Sequence, residues 1–168
     1  MAEVMLSMII LSFAALALVR LNNVITLAAE DNIHQNTAIV MAQGYLEQIK
    51  ALSFQTLQSI ADDVSSTGAP LNTVQINLTN HAGTTITTLF NSGTPYSETF
   101  MLDQDNAGNG IYPMTFQFQP VLTDLGKVAG APLASGVEIT VYFKATYSFG
   151  VTRTFTSSLR TVRANVRH

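Results

Sequence analysis

The stretch Val4–Val19, VMLSMIILSFAALALV, decides the fold of this chain. Its sixteen residues carry no charge, Glu3 precedes them and Arg20 follows them. A helix that crosses a bilayer needs about 20 apolar residues, and the residues from Leu21 to Ala29 extend the apolar stretch with few polar interruptions. We therefore predict a helix that either crosses a membrane or packs in a bundle with helices of its own kind.

The helical pattern continues beyond this stretch. Apolar residues recur at spacings of three and four at Ala38, Met41, Tyr45, Ile49 and Leu52. There is no proline before Ile60, and Gly44 is the only glycine in that range. We predict one continuous helix over about residues 1–60, with a hydrophobic half at 1–29 and an amphipathic half at 30–60.

The period of the pattern changes to two after residue 72. The clearest alternation has Ile139, Val141, Phe143, Ala145 and Tyr147 on one side and mostly polar residues on the other. Such alternation is typical of an antiparallel sheet with one dry face. The sequence predicts an α+β fold in which the long N-terminal helix packs on an antiparallel β-sheet formed by residues 61–168. Two polar segments, 91–109 and 123–136, are predicted to be surface loops.

Composition excludes several kinds of protein. Only 11% of the residues are charged and 47% are hydrophobic, which is typical of a folded chain. The net charge of −3 offers no electrostatic footprint for nucleic acid, so we predict no nucleic-acid partner. There is no cysteine, and the three histidines lack metal-ligand spacing. We predict no catalytic residues and no enzymatic activity.

One segment suggests a cation site. Asp103, Asp105 and Asn109 lie in the stretch DQDNAGNG, which is similar to the opening of a calcium-binding loop. The closing glutamate is missing, because the twelfth position of such a loop would be Met114. A polar turn rich in Asp, Asn and Gly is the alternative. Apart from this calcium site, we predict no cofactor.

Two stretches carry a family resemblance. Residues 2–19, AEVMLSMIILSFAALALV, closely resemble the N-terminal helix of type IV pilins and type II secretion pseudopilins. Residues 38–54, AIVMAQGYLEQIKALSF, are similar to its continuation in minor pilins and pseudopilins. The resemblance covers about the first third of the chain, and the rest agrees in layout with the pilin roll. Major pilins often have a proline about twenty residues in and a C-terminal disulfide. Their absence here favours a minor pilin or pseudopilin.

The resemblance implies roles for three residues in assembly. Ala2-Glu3-Val4 match the end of the family motif, so Glu3 is the glutamate that meets the N-terminal amine of the next subunit in a filament. The alternative is a solvated helix N-terminus, where an acid complements the helix dipole. Arg20 either reaches lipid headgroups or pairs inside the filament with Glu30 or Asp31 of a neighbour. The sequence leaves both alternatives open.

The resemblance also implies a function and partners. The protein would be a structural subunit that is anchored by a single span in the bacterial inner membrane and then assembled into an extracellular or periplasmic filament. Its partners would be other pilin or pseudopilin subunits, a prepilin peptidase and an assembly platform. The family's basic leader ending in glycine is not present before Met1, and we expect the native gene to encode one just upstream. The alternative function is a membrane-tethered β-domain that binds a ligand and never polymerises.

Overall fold

The computed structural model describes residues 2–67, 75–90, 94–104, 110–125, 136–149 and 151–164. The elements in chain order are α1 (Ala2–Lys50), α2 (Phe54–Thr67), β1 (Gln75–Thr79), β2 (Thr85–Leu89), β3 (Tyr96–Gln104), β4 (Gly110–Asp124), β5 (Gly136–Phe149) and β6 (Val151–Ala164). The chain divides into two compact units, Met1–Asn36 and Thr37–His168. The predicted α+β class is confirmed, and most of the predicted amphipathic half of the helix belongs to the same unit as the strands.

The prediction of one unbroken helix to about residue 60 is wrong, because α1 ends at Lys50 and α2 begins at Phe54. The Ser53 hydroxyl starts α2 by accepting a hydrogen bond of 3.1 Å from the Thr56 amide, as an N-cap residue does. The Arg163 guanidinium donates to the backbone carbonyls of Lys50 and Leu52. It thereby satisfies acceptors that the end of α1 leaves open.

The strands form two antiparallel sheets where the sequence predicted one. One is the hairpin β1–β2, and the other has four strands in the order β3-β4-β5-β6. The predicted loop over 91–109 is wrong for residues 96–104, because β3 pairs with β4 from Tyr96↔Phe118 to Gln104↔Gly110. The predicted loop over 123–136 is wrong at its two ends, because β4 extends to Asp124 and β5 begins at Gly136. Residues 126–135 lie outside the described residues.

Strand β4 carries two prolines in an interior position of the sheet. Pro113 pairs with Met101 of β3, but the register with β5 begins one residue later at Met114. Pro120 pairs with Val141 of β5, but the register with β3 ends before it, at Phe118. Each proline therefore lies where one side of β4 has no ladder partner, which is the position a residue without an N–H tolerates.

The hairpin β1–β2 is attached to α1 by a side-chain amide. Gln48 donates from Nε2 to the Thr79 carbonyl at 2.9 Å and accepts from the Thr79 amide at Oε1 at 2.6 Å. The turn of the hairpin is held by the Asn80 side chain, which accepts hydrogen bonds from two backbone amides of the turn. Gly83 supplies the positive φ of 76° that the turn needs.

The core of the second unit lies between its helices and the inner faces of the sheets. Ala38, Tyr45 and Ile49 of α1 are buried, as the helical spacing predicts. The predicted Met41 and Leu52 are partly buried and pack against this core, and Ala42, which was not predicted, is buried as well. The four-stranded sheet contributes alternate apolar side chains, among them Phe116, Phe118, Val141 and Phe143. The Tyr45 ring stacks on Phe118 with 4.1 Å between ring centroids.

Candidate functional site

The apolar first half of α1 is the largest exposed hydrophobic surface of the described chain. Its large apolar side chains from Val4 to Ile25 are between 53% and 71% exposed. Every described residue from Glu3 to Ala29 is exposed, so this surface continues around the whole helix. The helix is long and apolar enough to cross a membrane, and none of its most apolar window is buried.

The hydroxyl groups of this segment are bonded within the helix itself. Ser7 donates to the Glu3 carbonyl and Ser12 to the Met8 carbonyl, each at 2.8 Å. Thr26 donates to the Asn22 carbonyl at 3.0 Å. Serine and threonine side chains within a helix can bond in this way to the carbonyl four residues earlier. The hydroxyl donors of the segment therefore need no partner from solvent.

The three predicted assembly residues lie on this segment but not together. Glu3 is in the first turn of α1, where an acid complements the helix dipole, and Val4 follows it. Arg20 is exposed, and at 1.5 Å per residue it lies about 25 Å along the axis from Glu3. The two charges therefore cannot pair within one copy. Their assembly roles stay predictions.

The surface of this helix has a shallow, open groove at the small residue Ser12. Ser12 lies among Met8, Ile9, Phe13 and Leu16, and together these residues line a groove of about 480 Å³. Small side chains between large ones let another helix approach closely. The groove is apolar apart from the Ser12 hydroxyl, which is already bonded to its own backbone.

The predicted calcium residues lie mostly outside the described residues. Asp105 and Asn109 are not described, and of Asp103 the structure describes the backbone, which pairs with Ile111 at the end of β3. Among the described residues no group of three or more acidic or histidine side chains could hold a metal ion. The calcium site at Asp103, Asp105 and Asn109 stays a prediction.

A buried polar cluster in the second unit was not predicted. The Tyr45 hydroxyl donates to Glu98 Oε1 at 2.7 Å, and His81 Nδ1 lies 3.1 Å from Glu98 Oε2. The Glu98 side chain is only 6% exposed, whereas that of His81 is 41% exposed. The cluster joins α1, the hairpin turn and β3. Beside it lies a cavity of about 160 Å³, lined by Met41, Gly44, Tyr45, Gln48, Thr79, Asn80 and His81.

Burial raises the pKa of the Tyr45 hydroxyl far above its ordinary value of 10.0, and the hydrogen bond to Glu98 and its negative charge raise it further. The hydroxyl therefore keeps its proton and serves as a fixed donor. A donor of this kind suits the stabilisation of a buried carboxylate. It does not suit a general base, which must already be deprotonated at the working pH so that it can accept a proton.

We expect the substitution Tyr45→Phe to lower the free energy of unfolding by about 1–3 kcal/mol, because Glu98 loses a buried donor. The native pKa of Tyr45 is raised, so its contribution is fully present below pH 10 and is lost as the pH rises further. The difference between wild type and variant should therefore narrow above about pH 10. Urea unfolding of the full chain in detergent micelles at several pH values measures it. Tyr142→Phe, at an exposed tyrosine, is the control. It should change neither the free energy of unfolding nor its dependence on pH.

No family model, no curated protein and no solved structure matches the chain.

Proposed function

We propose that this chain is a structural subunit of the type IV pilin or type II secretion pseudopilin kind, which polymerises through the first half of α1. The observation that carries the proposal is the exposure of large apolar side chains from Val4 to Ile25 on all sides of one helix. Exposed apolar area of this size has to be covered by lipid or by other helices. The acid in the first turn and the resemblance of residues 2–19 to pilin helices support the second alternative, in which other helices finally cover this surface.

The function is assembly without chemistry. Before assembly the helix lies in the bacterial inner membrane as a single span, and during assembly it exchanges lipid for the helices of other subunits. The hydroxyls of Ser7, Ser12 and Thr26 keep their hydrogen bonds to carbonyls of the same helix during this transfer from lipid to the filament. Contacts between different surfaces of successive copies do not close on themselves, so they extend a fibre outside the membrane.

Glu3 gives the assembly its register. An uncompensated carboxylate is costly in an apolar helix bundle. Pairing with the N-terminal amine of an adjacent copy removes this cost at one axial position. Because Arg20 lies too far along the same helix to serve, the counter-charge has to come from another chain.

We expect the substitution Glu3→Gln to reduce the amount of this protein in sheared filaments at least about tenfold, because the amine of the adjacent copy is left unpaired in an apolar interior. The measurement compares wild type and variant in cells that carry the native gene and its assembly machinery. Filaments are sheared from the surface and quantified by immunoblot against the membrane fraction. Insertion into the membrane should not decrease, since the variant carries one charge fewer in the helix.

Glu47→Gln is the matched control, because it removes a carboxylate from the exposed side of the same helix outside the apolar half. It should leave the filament fraction unchanged. Equal filament yield from Glu3→Gln and wild type would disprove the role of Glu3. A wild-type protein that stays in the membrane and enters no filament would favour the tethered binding module instead.

A further inference from the structure

The outer face of the four-stranded sheet, opposite the core residues Phe116 and Phe143, is built in polar rows. Antiparallel partners share a face, so the register defines each row. One row contains Gln117, Lys144 and Thr156, and the next contains Gln119, Tyr142 and Ser158. A row of threonines lies beside them, and in it Thr99 and Thr115 exchange a hydrogen bond of 3.0 Å.

A cleft of about 270 Å³ opens on this face, and its lining includes Pro95, Gln117, Gln119, Tyr142, Lys144 and Thr156. Tyr142 is 48% exposed. It is the one exposed side chain among the described phenylalanines and tyrosines of the second unit. An exposed aromatic ring beside amides and hydroxyls offers an apolar surface and hydrogen-bonding groups within the same small area.

The charge at this cleft favours an anionic ligand, because Lys144 is the charged residue of its lining. The described strand positions of this face include two acidic residues, Glu138 and Asp103. Glu138 is paired with Arg160 at 3.1 Å, and Asp103 is in register with Ile111, six residues along β4 from Gln117. Lys144 lies opposite Gln117 and Thr156, and no described carboxylate forms an ion pair with it. An exposed ammonium group without an ion-pair partner among the described residues therefore lies at the cleft of a chain whose net charge is −3.

We infer that this cleft binds an acidic saccharide, a chain of uronic acid or similarly carboxylated sugars. A sugar ring has apolar C–H faces and hydroxyls that both donate and accept. The Tyr142 ring would contact such a face. The amides of Gln117 and Gln119 and the hydroxyl of Thr156 both donate and accept in the same way as sugar hydroxyls. The carboxylate of the sugar would pair with Lys144.

Other polymers fit this face less well. Both neighbours of β4 and of β5 lie within the sheet, so their paired backbone groups are not available to add a peptide strand. Phe118 and Phe143 line the cleft but are buried beneath it, which leaves no pocket for an apolar anchor of a peptide. A nucleic acid would require more cations than this face carries.

The test measures binding of a labelled hexamer of galacturonic acid to the full chain by fluorescence polarisation, in a detergent without a sugar headgroup. Maltohexaose, a neutral hexamer, is the competing probe. We expect the acidic hexamer to bind at least about tenfold more tightly than the neutral one. Tyr142→Ala should weaken binding of the acidic hexamer about tenfold, whereas Tyr142→Phe should retain it.

Lys144→Gln should remove the preference for the acidic hexamer over the neutral one. Arg153→Gln removes one exposed positive charge elsewhere in the unit and should leave affinity unchanged. The inference is overturned if wild type does not bind the acidic hexamer, or if Tyr142→Ala binds as wild type does. It is also overturned if Arg153→Gln weakens binding as much as Lys144→Gln, or if a polyglutamate peptide competes as well as the saccharide.

The saccharide site does not depend on the proposed function, because its residues belong to the second unit and Glu3 does not contribute to it. Loss of filaments in Glu3→Gln and loss of saccharide binding in Tyr142→Ala are therefore separate results. Either can fail while the other holds.

Discussion

The substitution Ala14→Arg is expected to lower the partition of the full chain into lipid vesicles about a hundredfold. An arginine at the centre of an apolar helix costs about 2.5–3.5 kcal/mol on insertion, which corresponds to a factor of about 70–400. Ala14 lies in the middle of the exposed apolar half of α1, and no described residue nearby could neutralise the new charge. Flotation of the purified chain over a series of lipid concentrations measures the partition constant.

Gln43→Arg is the control for this experiment, because Gln43 is an exposed residue of the same helix within the second unit. It adds the same charge without placing it among the apolar residues, and partition should be unchanged. If Ala14→Arg floats with vesicles as fully as wild type, the first half of α1 does not enter lipid. The membrane stage of the proposed function would then be wrong.

The substitution Phe118→Ala is expected to lower the free energy of unfolding of the second unit by about 3–5 kcal/mol, the cost of a large cavity in a packed core. Phe118 is fully buried and stacks on Tyr45 at 4.1 Å between centroids, with Tyr96 at 5.4 Å. No neighbour can fill the space without leaving its own contacts. Urea unfolding of the full chain in detergent micelles, followed by the circular dichroism of its strands, gives the value.

Phe13→Ala is the matched control, because it makes the same chemical change at a side chain that is 70% exposed in the first unit. Unfolding of the strands should be unchanged in this variant. A loss of less than about 1 kcal/mol in Phe118→Ala would show that the stack of Tyr45 on Phe118 does not organise the core, since fully buried phenylalanines cost far more.

The sequence was sufficient to predict the elements whose residue pattern is locally regular. Strand β5 alternates apolar and polar residues over most of its length, and each apolar member from Val137 to Tyr147 is buried. The second half of α1 likewise presents the predicted residues to the core. In both cases the period of the hydrophobic pattern matches the geometry of the element, so no distant contact is needed for the prediction.

Strand β3 was missed because a charged residue occupies one of its inward positions. Tyr96, Glu98, Phe100 and Leu102 share one side of the strand, and the glutamate makes the alternation look like a polar loop. Glu98 can be buried there because Tyr45, 53 residues earlier in the chain, donates a hydrogen bond to it. A partner so distant in sequence leaves no signal in the local pattern.

The end of α1 was missed for a related reason. Ser53 is a recognisable N-cap residue, and the sequence contained that signal. The Arg163 side chain, which donates to the carbonyls of Lys50 and Leu52, comes from β6 at the other end of the chain. Only the fold shows that these acceptors have a donor within reach.

The sequence was sufficient to predict which segment forms the candidate site, but not what that segment contacts. The exposed apolar residues of α1 and the position of Glu3 in its first turn follow from the sequence. What these residues contact is a property of several copies, and a single chain does not contain it. The cleft at Tyr142 and Lys144 could not be predicted, because its residues come from separate strands and meet only through their register.

The Gln48 side-chain amide affects how readily copies of this chain aggregate at high concentration. By bonding the backbone amide and carbonyl of Thr79, it occupies the last residue on the outer edge of β1 as a further strand would. An open edge is where identical chains begin to aggregate when they are crowded together. Gln48 therefore protects this end of the hairpin from pairing with another copy of the chain.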